Sequence, residues 1–462
     1  MQMLFTMRRR KSLLLGIFGM VLIIQPLVAD GLESVTIEKS LAAGLKASNS
    51  IAASQQAFVV ARQAVVAAKA ANELNGSFAV SGSNAQSDTK STAGGFVSSS
   101  GLTATFSLSK RIYDSGESKT KLQVAEFDLE KARNEYLLAE QNVIFDVITA
   151  HLDVLSAQKA FDIRDVNERR LFAHTEAAKI RLAAGTSTPT QLAEAEARLA
   201  RAQSDKILAQ SGLQSAAEAY QSLTGFDAVN LLSFSLPQGL PENIADAEMK
   251  AGKSHPSVII AELAAKSSGL QFKLLKQSVL PKVNFSLSAS RTEKEGRSSD
   301  KDEITTKLEF STPFLVTETT RTSSRSRQAS HLKAQLDASE RRRVVELEAR
   351  RAFRDYEASV AQIKAVESEL RAARLVSEGT ESEVEFGLKT LLDLLDAEHD
   401  LSNVELRIVQ AQQDLIVNGY NLMRSIGQLS VSQFILESTP PALDLISDPS
   451  SRFPYIIPVM VE

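Results

Sequence analysis

Asp393 and Asp396 stand three residues apart in Gly387-Leu-Lys-Thr-Leu-Leu-Asp393-Leu-Leu-Asp396-Ala397. Residues i and i+3 share one face of a helix. Carboxylates gathered at a narrow mouth repel one another and attract cations, which sets an electrostatic filter. Two acids early in a helix also suit its N-terminal dipole. The spacing leaves both roles open. Catalytic chemistry has less support. The His residues at 151, 174, 255, 331 and 399 are scattered, and Ala397-Glu-His399-Asp400 has no second His at metal-ligand spacing. No Gly-rich phosphate loop follows a strand, and there is no nucleophile elbow. The chain has no Cys, which excludes disulfides, thiolate metal sites and a lipid-modified Cys at a mature N-terminus. Neither enzyme activity nor a cofactor is expected.

The acids belong to the second of two copies. Gly185-Thr-Ser-Thr188-Pro-Thr-Gln191-Leu192-Ala-Glu194-Ala195 and the segment from Gly387 both fit Gly-x-x-Thr-x-x-x-Leu-x-acid-Ala, 202 residues apart. The same offset pairs Leu108 with Phe310, Ile112 with Phe314, Ala150 with Ala352, Asp153 with Asp355 and Gly225 with Gly427. A register kept over that span marks a duplicated structural unit.

The elements that must position these residues follow from composition and periodicity. Among 462 residues there is no Trp, and aromatics make up 6%. That is the composition of long helices packed on small residues. A net charge of −4 gives no reason to expect nucleic acid. Residues 1–29 read as a signal peptide: Arg8-Arg-Arg-Lys11, an apolar run from Leu13 to Ile24, then Gln25-Pro26 and Ala29. An uncleaved anchor is the competing reading of that segment. Past it, no run is apolar enough to span a membrane as a helix, so a mature protein that enters one does so as a closed barrel.

The first repeat, 30–225, opens with an Ala-rich helix over 33–73. A β-hairpin follows at about 76–109, with apolar Phe78, Val80, Leu102, Ala104, Phe106 and Leu108 at every second position. Gly82–Ser100 between them reads as a loop. The second repeat, 246–430, has its hairpin at about 282–312, where Val283, Phe285, Leu287 and Ala289 alternate with Asn284 and Ser286, Ser288 and Ser290. One apolar and one polar face per strand is the pattern of transmembrane β-strands, and also of a hairpin packed on a soluble core.

After each hairpin comes a very long helix. From Leu122 to Ala157, apolar or small residues recur in steps of three and four, a coiled-coil seam rich in Ala. Gly185 supplies a stop, Thr188 a new N-cap and Pro189 a first turn, so the chain returns on itself at a tip over 184–190. The second tip falls at 386–391. Residues 226–245 link the repeats, 431–462 form a C-terminal tail, and 438–462, with five Pro, reads as irregular.

With helix, hairpin, long helix, tip and helix in this order, the sequence resembles the TolC-like outer-membrane efflux proteins over about residues 33–430. Leu108-Ser-Lys-Arg-Ile112-Tyr-Asp-Ser-Gly116 is similar to the family motif where the second strand meets its helix, and Gly387–Ala397 to its tip motif. The resemblance implies a mostly α fold with a small β part. It implies a homotrimer whose twelve strands close a transmembrane barrel in outer-membrane lipid, continued by an α-helical periplasmic barrel. The function implied is passive export of small molecules or proteins, with a periplasmic adaptor and an inner-membrane ABC or RND pump as partners. Asp393 and Asp396 would line an acidic entrance. Gly185, Thr188, Leu192, Gly387, Thr390 and Leu394 would form adaptor-docking tips. Some relatives lock the entrance with an Asp bonded to an Arg and a Tyr. Here the matching positions hold Gln191, Lys389 and Val384, so these are gate candidates and the lock is altered. The alternative function is a periplasmic coiled-coil adaptor or scaffold with no membrane barrel; the paired hairpins argue against it.

Overall fold

The computed structural model describes residues 34–89, 95–295, 301–313, 315 and 317–434. The signal segment, Phe314 and tail residues 435–462 lie outside the described residues.

The two repeats build the same elements twice. The first gives α1 (Ile37–Ala47), α2 (Asn49–Ala70), β1 (Asn75–Thr89), β2 (Gly95–Tyr113), α3 (Glu117–Ala183) and α4 (Pro189–Thr224). The second gives α5 (Ile244–Ser254), α6 (Pro256–Ser278), β3 (Lys282–Glu295), β4 (Lys301–Ser311), α7 (Glu318–Glu385) and α8 (Leu391–Ser425). Ile37 and Ile244 open the repeats 207 positions apart, and the offset drops to 202 after the hairpins. The second hairpin is therefore five residues shorter.

Two readings are corrected. The helix expected over 33–73 breaks at Ser48, whose extended backbone ends α1 and whose hydroxyl accepts from the Ile51 N–H to start α2. The segment Gly82–Ser100 is largely strand: backbone pairing continues out to Thr89 opposite Gly95, because a ladder needs no apolar alternation to extend. The start of the tail is packed. Val431 donates its N–H to the buried Glu140 carboxylate at 3.2 Å, and Phe434 stacks on Tyr420.

The strands form one antiparallel sheet in the order β1-β2-β3-β4. Phe78, Phe106, Ala289 and Ile304 are directly opposite one another across all of it. Ser77, Ser107, Ser288 and Thr305 make the neighbouring row on the other face. The apolar row is uncovered: Phe78 is 71% exposed and Ile304 79%. The outer edges of β1 and β4 carry unpaired backbone groups within the protomer.

α3 and α7, with 67 and 68 residues, are each on the order of 100 Å long. α3 packs on α2 and α6 toward the sheet and on α4 and α8 toward the tips; α7 packs on α6 and then α8. Ala125, Ala132 and Ala150 of the α3 seam are buried, and small side chains let neighbouring helices approach closely. The largest core lies midway. Leu41, Ile144, Ile148, Val258, Val345, Leu422 and Ile426 are almost wholly buried there and draw on both repeats. Full burial of each such side chain stabilises by roughly 1.5–3 kcal/mol.

Candidate duct entrance at the helix tips

Both tips are built by the same local chemistry. Gly185 and Gly387 have φ of +71° and +70°, which a β-carbon disfavours. The Thr186 N–H reaches the Arg181 carbonyl at 2.9 Å, and the Leu388 N–H reaches the Glu383 carbonyl at 2.8 Å. These bonds satisfy carbonyls that a helix end leaves open. The next helix starts at once. The Thr188 hydroxyl accepts from the Gln191 N–H while the Gln191 side chain accepts from the Thr188 N–H. Thr390 and Asp393 make the same reciprocal pair. Each is a capping box, so Gln191 and Asp393 occupy one structural position in the two copies.

The acids differ in their surroundings. Asp393 is exposed, and its carboxylate accepts from the Thr390 hydroxyl at 2.6 Å and the Thr390 N–H at 2.8 Å. Those bonds, with the charge of Lys389, hold it below the usual carboxylate range. Asp396 is paired: Arg198 of α4 donates to it at 2.6 Å. Two residues further along α8, the buried Glu398 meets His174 of α3 at 3.1 Å. Neither cross-repeat contact was legible in the sequence, because neither pairing falls on a repeat-equivalent position.

The structure does not join the gate candidates to one another. Gln191 is held by its own cap and by Ser187. Lys389 turns back onto Glu383 at 2.6 Å and the Thr380 hydroxyl. Val384 is half-buried in the last turn of α7. Within a protomer each is engaged locally, since the cap geometry claims the polar atoms.

The docking candidates also divide. Gly185, Thr188, Gly387 and Thr390 are exposed. Leu394 is only 4% exposed and faces the helix pair. Leu192 packs beside Leu171, Ala195 and Leu395 in the tip core. Periodicity missed Phe386 and Leu388, which project at 81% and 76% exposure. Among the described residues no cluster of His and carboxylates could hold a metal, and no helix is long and apolar enough to cross a membrane.

A sheet with an uncovered apolar row, carried on helices of this length and repeated twice, defines an outer-membrane export channel. The family described as outer membrane efflux protein matches residues 41–226 and 249–428, and the chain belongs to that family. The outer membrane efflux protein BepC of Brucella suis biovar 1 is 25% identical over 332 residues, 71% of this chain and 73% of BepC. The outer membrane protein TolC of Vibrio cholerae is 22% identical over 339 residues, 71% of this chain and 77% of TolC. Among solved structures, the fold is similar to the Vibrio cholerae outer membrane protein VceC, with a TM-score of 0.72, 16% identity and coverage of 85% of this chain and 96% of VceC. The Campylobacter jejuni CmeC channel gives 0.74, 14% and 86% of both chains. The protein is thus an outer-membrane channel protein extending into the periplasm, and not an enzyme.

Proposed function

We propose that three copies close a twelve-stranded barrel and continue it as a helical duct, through which small molecules or proteins leave the periplasm. The sheet carries this reading. Four strands cannot close, and single-chain barrels begin at about eight. Laying β4 of one copy on β1 of the next pairs both free edges and turns the apolar row toward lipid. The helices support the same closure. α7 flanks the protomer along its length, α2 and α4 flank it on the other side, and Val60, Ile207, Leu208, Leu332, Leu336 and Leu375 on these flanks are exposed.

At the far end, one Asp393 per copy forms an acidic ring. Asp396 joins it only when Arg198 lets go. The tip glycines, with Phe386 and Leu388, offer an apolar-edged surface to a periplasmic adaptor, which couples the duct to an inner-membrane ABC or RND pump. Purified protein in planar bilayers tests the entrance. Asp393→Asn keeps a capping side chain and removes the charge. It should lower cation selectivity and relieve block by multivalent cations; unchanged selectivity and block would reject the filter.

A further inference from the structure

Between the last turn of α6 and the first two turns of α7 lies a pocket of about 330 Å³. Leu275 and Val279 are its apolar lining, and Lys276, Arg321 and Arg325 line it as well. Val279 comes three residues before β3, and α7 begins seven residues after β4 ends, so the pocket sits where the sheet meets the helices. Leu280 and Leu315 at the same junction are exposed.

The charge there is net positive. Arg321 faces Glu318 at 3.6 Å with both side chains about two-thirds exposed, and Lys276 lies 4.3 Å from the Phe272 ring centroid. The first repeat serves as an internal comparison. In its α2–α3 groove Ser118 donates to Asn72 at 2.8 Å, bridging the helices. Asn72 corresponds to Val279, and Leu122 and Gln123 stand where the second repeat has Ser324 and Arg325. The second copy has exchanged a hydrogen-bonded bridge and a Leu for an apolar wall, a small residue and a cation.

We infer that this pocket binds the glycerophosphate headgroup of an anionic phospholipid in the periplasm-facing leaflet. Arg325 and Lys276 donate to the phosphate, and Leu275 and Val279 receive the start of the acyl chains. The inference rests on the sheet crossing the outer membrane.

Native mass spectrometry of the full-length protein in detergent, titrated with phosphatidylglycerol or phosphatidylcholine, tests it. Phosphatidylglycerol should be retained at about tenfold lower concentration than phosphatidylcholine. The double variant Lys276→Gln/Arg325→Gln should lose that preference, and Lys119→Gln in the first-repeat groove should keep it. Equal retention of the two lipids, an unaffected double variant, or full displacement by inorganic phosphate alone would overturn the site. Flotation with liposomes separates the two readings. Protein that floats but shows no lipid preference contradicts the pocket alone, whereas protein that does not float contradicts the membrane reading beneath it.

Discussion

Arg198 on α4 and Asp396 on α8 meet at 2.6 Å, tying the tip of the first repeat to the tip of the second. The duplication does not generate this pair. At the matching positions the first copy has Glu194 and the second has Asp400. It is a difference between the copies, at the tips where the entrance is proposed. Asp396 is 58% exposed and Arg198 28%, so the pair is worth at most about 1 kcal/mol and weakens with salt. A contact that weak can be released.

Arg198→Gln should therefore barely change thermal stability while uncovering a second acid at the mouth. Single-channel recordings should show a higher cation-to-anion permeability ratio than the parent protein. An unchanged ratio would remove Asp396 from any role at the entrance.

Asp393 is kept ionised chiefly by the Thr390 hydroxyl. Its carboxyl lies below the ordinary value of 3.8, so the proposed ring would keep its charge as pH falls to that value. Thr390→Val removes the hydroxyl and keeps the shape. Multivalent-cation block in the variant should fade at a higher pH than in the parent. The lost cap should also cost about 1 kcal/mol, readable as a lower melting temperature.

His255 ends α5 and caps α6, its Nδ1 accepting from the Ser257 N–H and hydroxyl. Burial, then the charges of Arg341 and Arg424, bring it down from 6.5 to about 4. A depressed folded value means the unfolded chain binds the proton first. The contribution is complete above pH 6.5 and is lost progressively as pH falls to about 4, by roughly 3 kcal/mol. His151, buried between Ser40 and the Leu232 carbonyl, is lowered by burial and acts in the same direction. Melting temperature should fall across this window, and His255→Asn, which keeps a capping acceptor, should flatten the fall. An equal fall in the variant would assign the pH dependence to other groups.

Gly225 and Gly427 close the two repeats with φ of +75° and +72°. A β-carbon at Gly225 meets open space, whereas one at Gly427 would lie 2.5 Å from the His255 Cα. Gly225→Ala should cost about 1–2 kcal/mol from backbone conformation alone. Gly427→Ala should cost clearly more and reduce the yield of folded protein. Equal melting temperatures for the two variants would contradict the packing at Gly427.

The duplicated frame was legible because the residues that cap and turn helices are few in type: Gly185 and Gly387, Thr188 and Thr390. The α3 seam was legible because burial along a long helix imposes a period. The ladder beyond Gly82 was hidden, since backbone pairing there is indifferent to side-chain type. Arg198, His174 and Glu398 were hidden for another reason. Their partners lie 198 and 224 residues away, and no local pattern marks which of many surface charges will meet. The burial of Leu394 was hidden because a tip motif names residues without saying which face they occupy.

The mass of the assembly extracted from outer membranes tests the central claim most directly. A sheet with two free edges predicts three chains per particle by native mass spectrometry in detergent, with no stable smaller species. A monodisperse monomer that retains its β-sheet signal would contradict the duct.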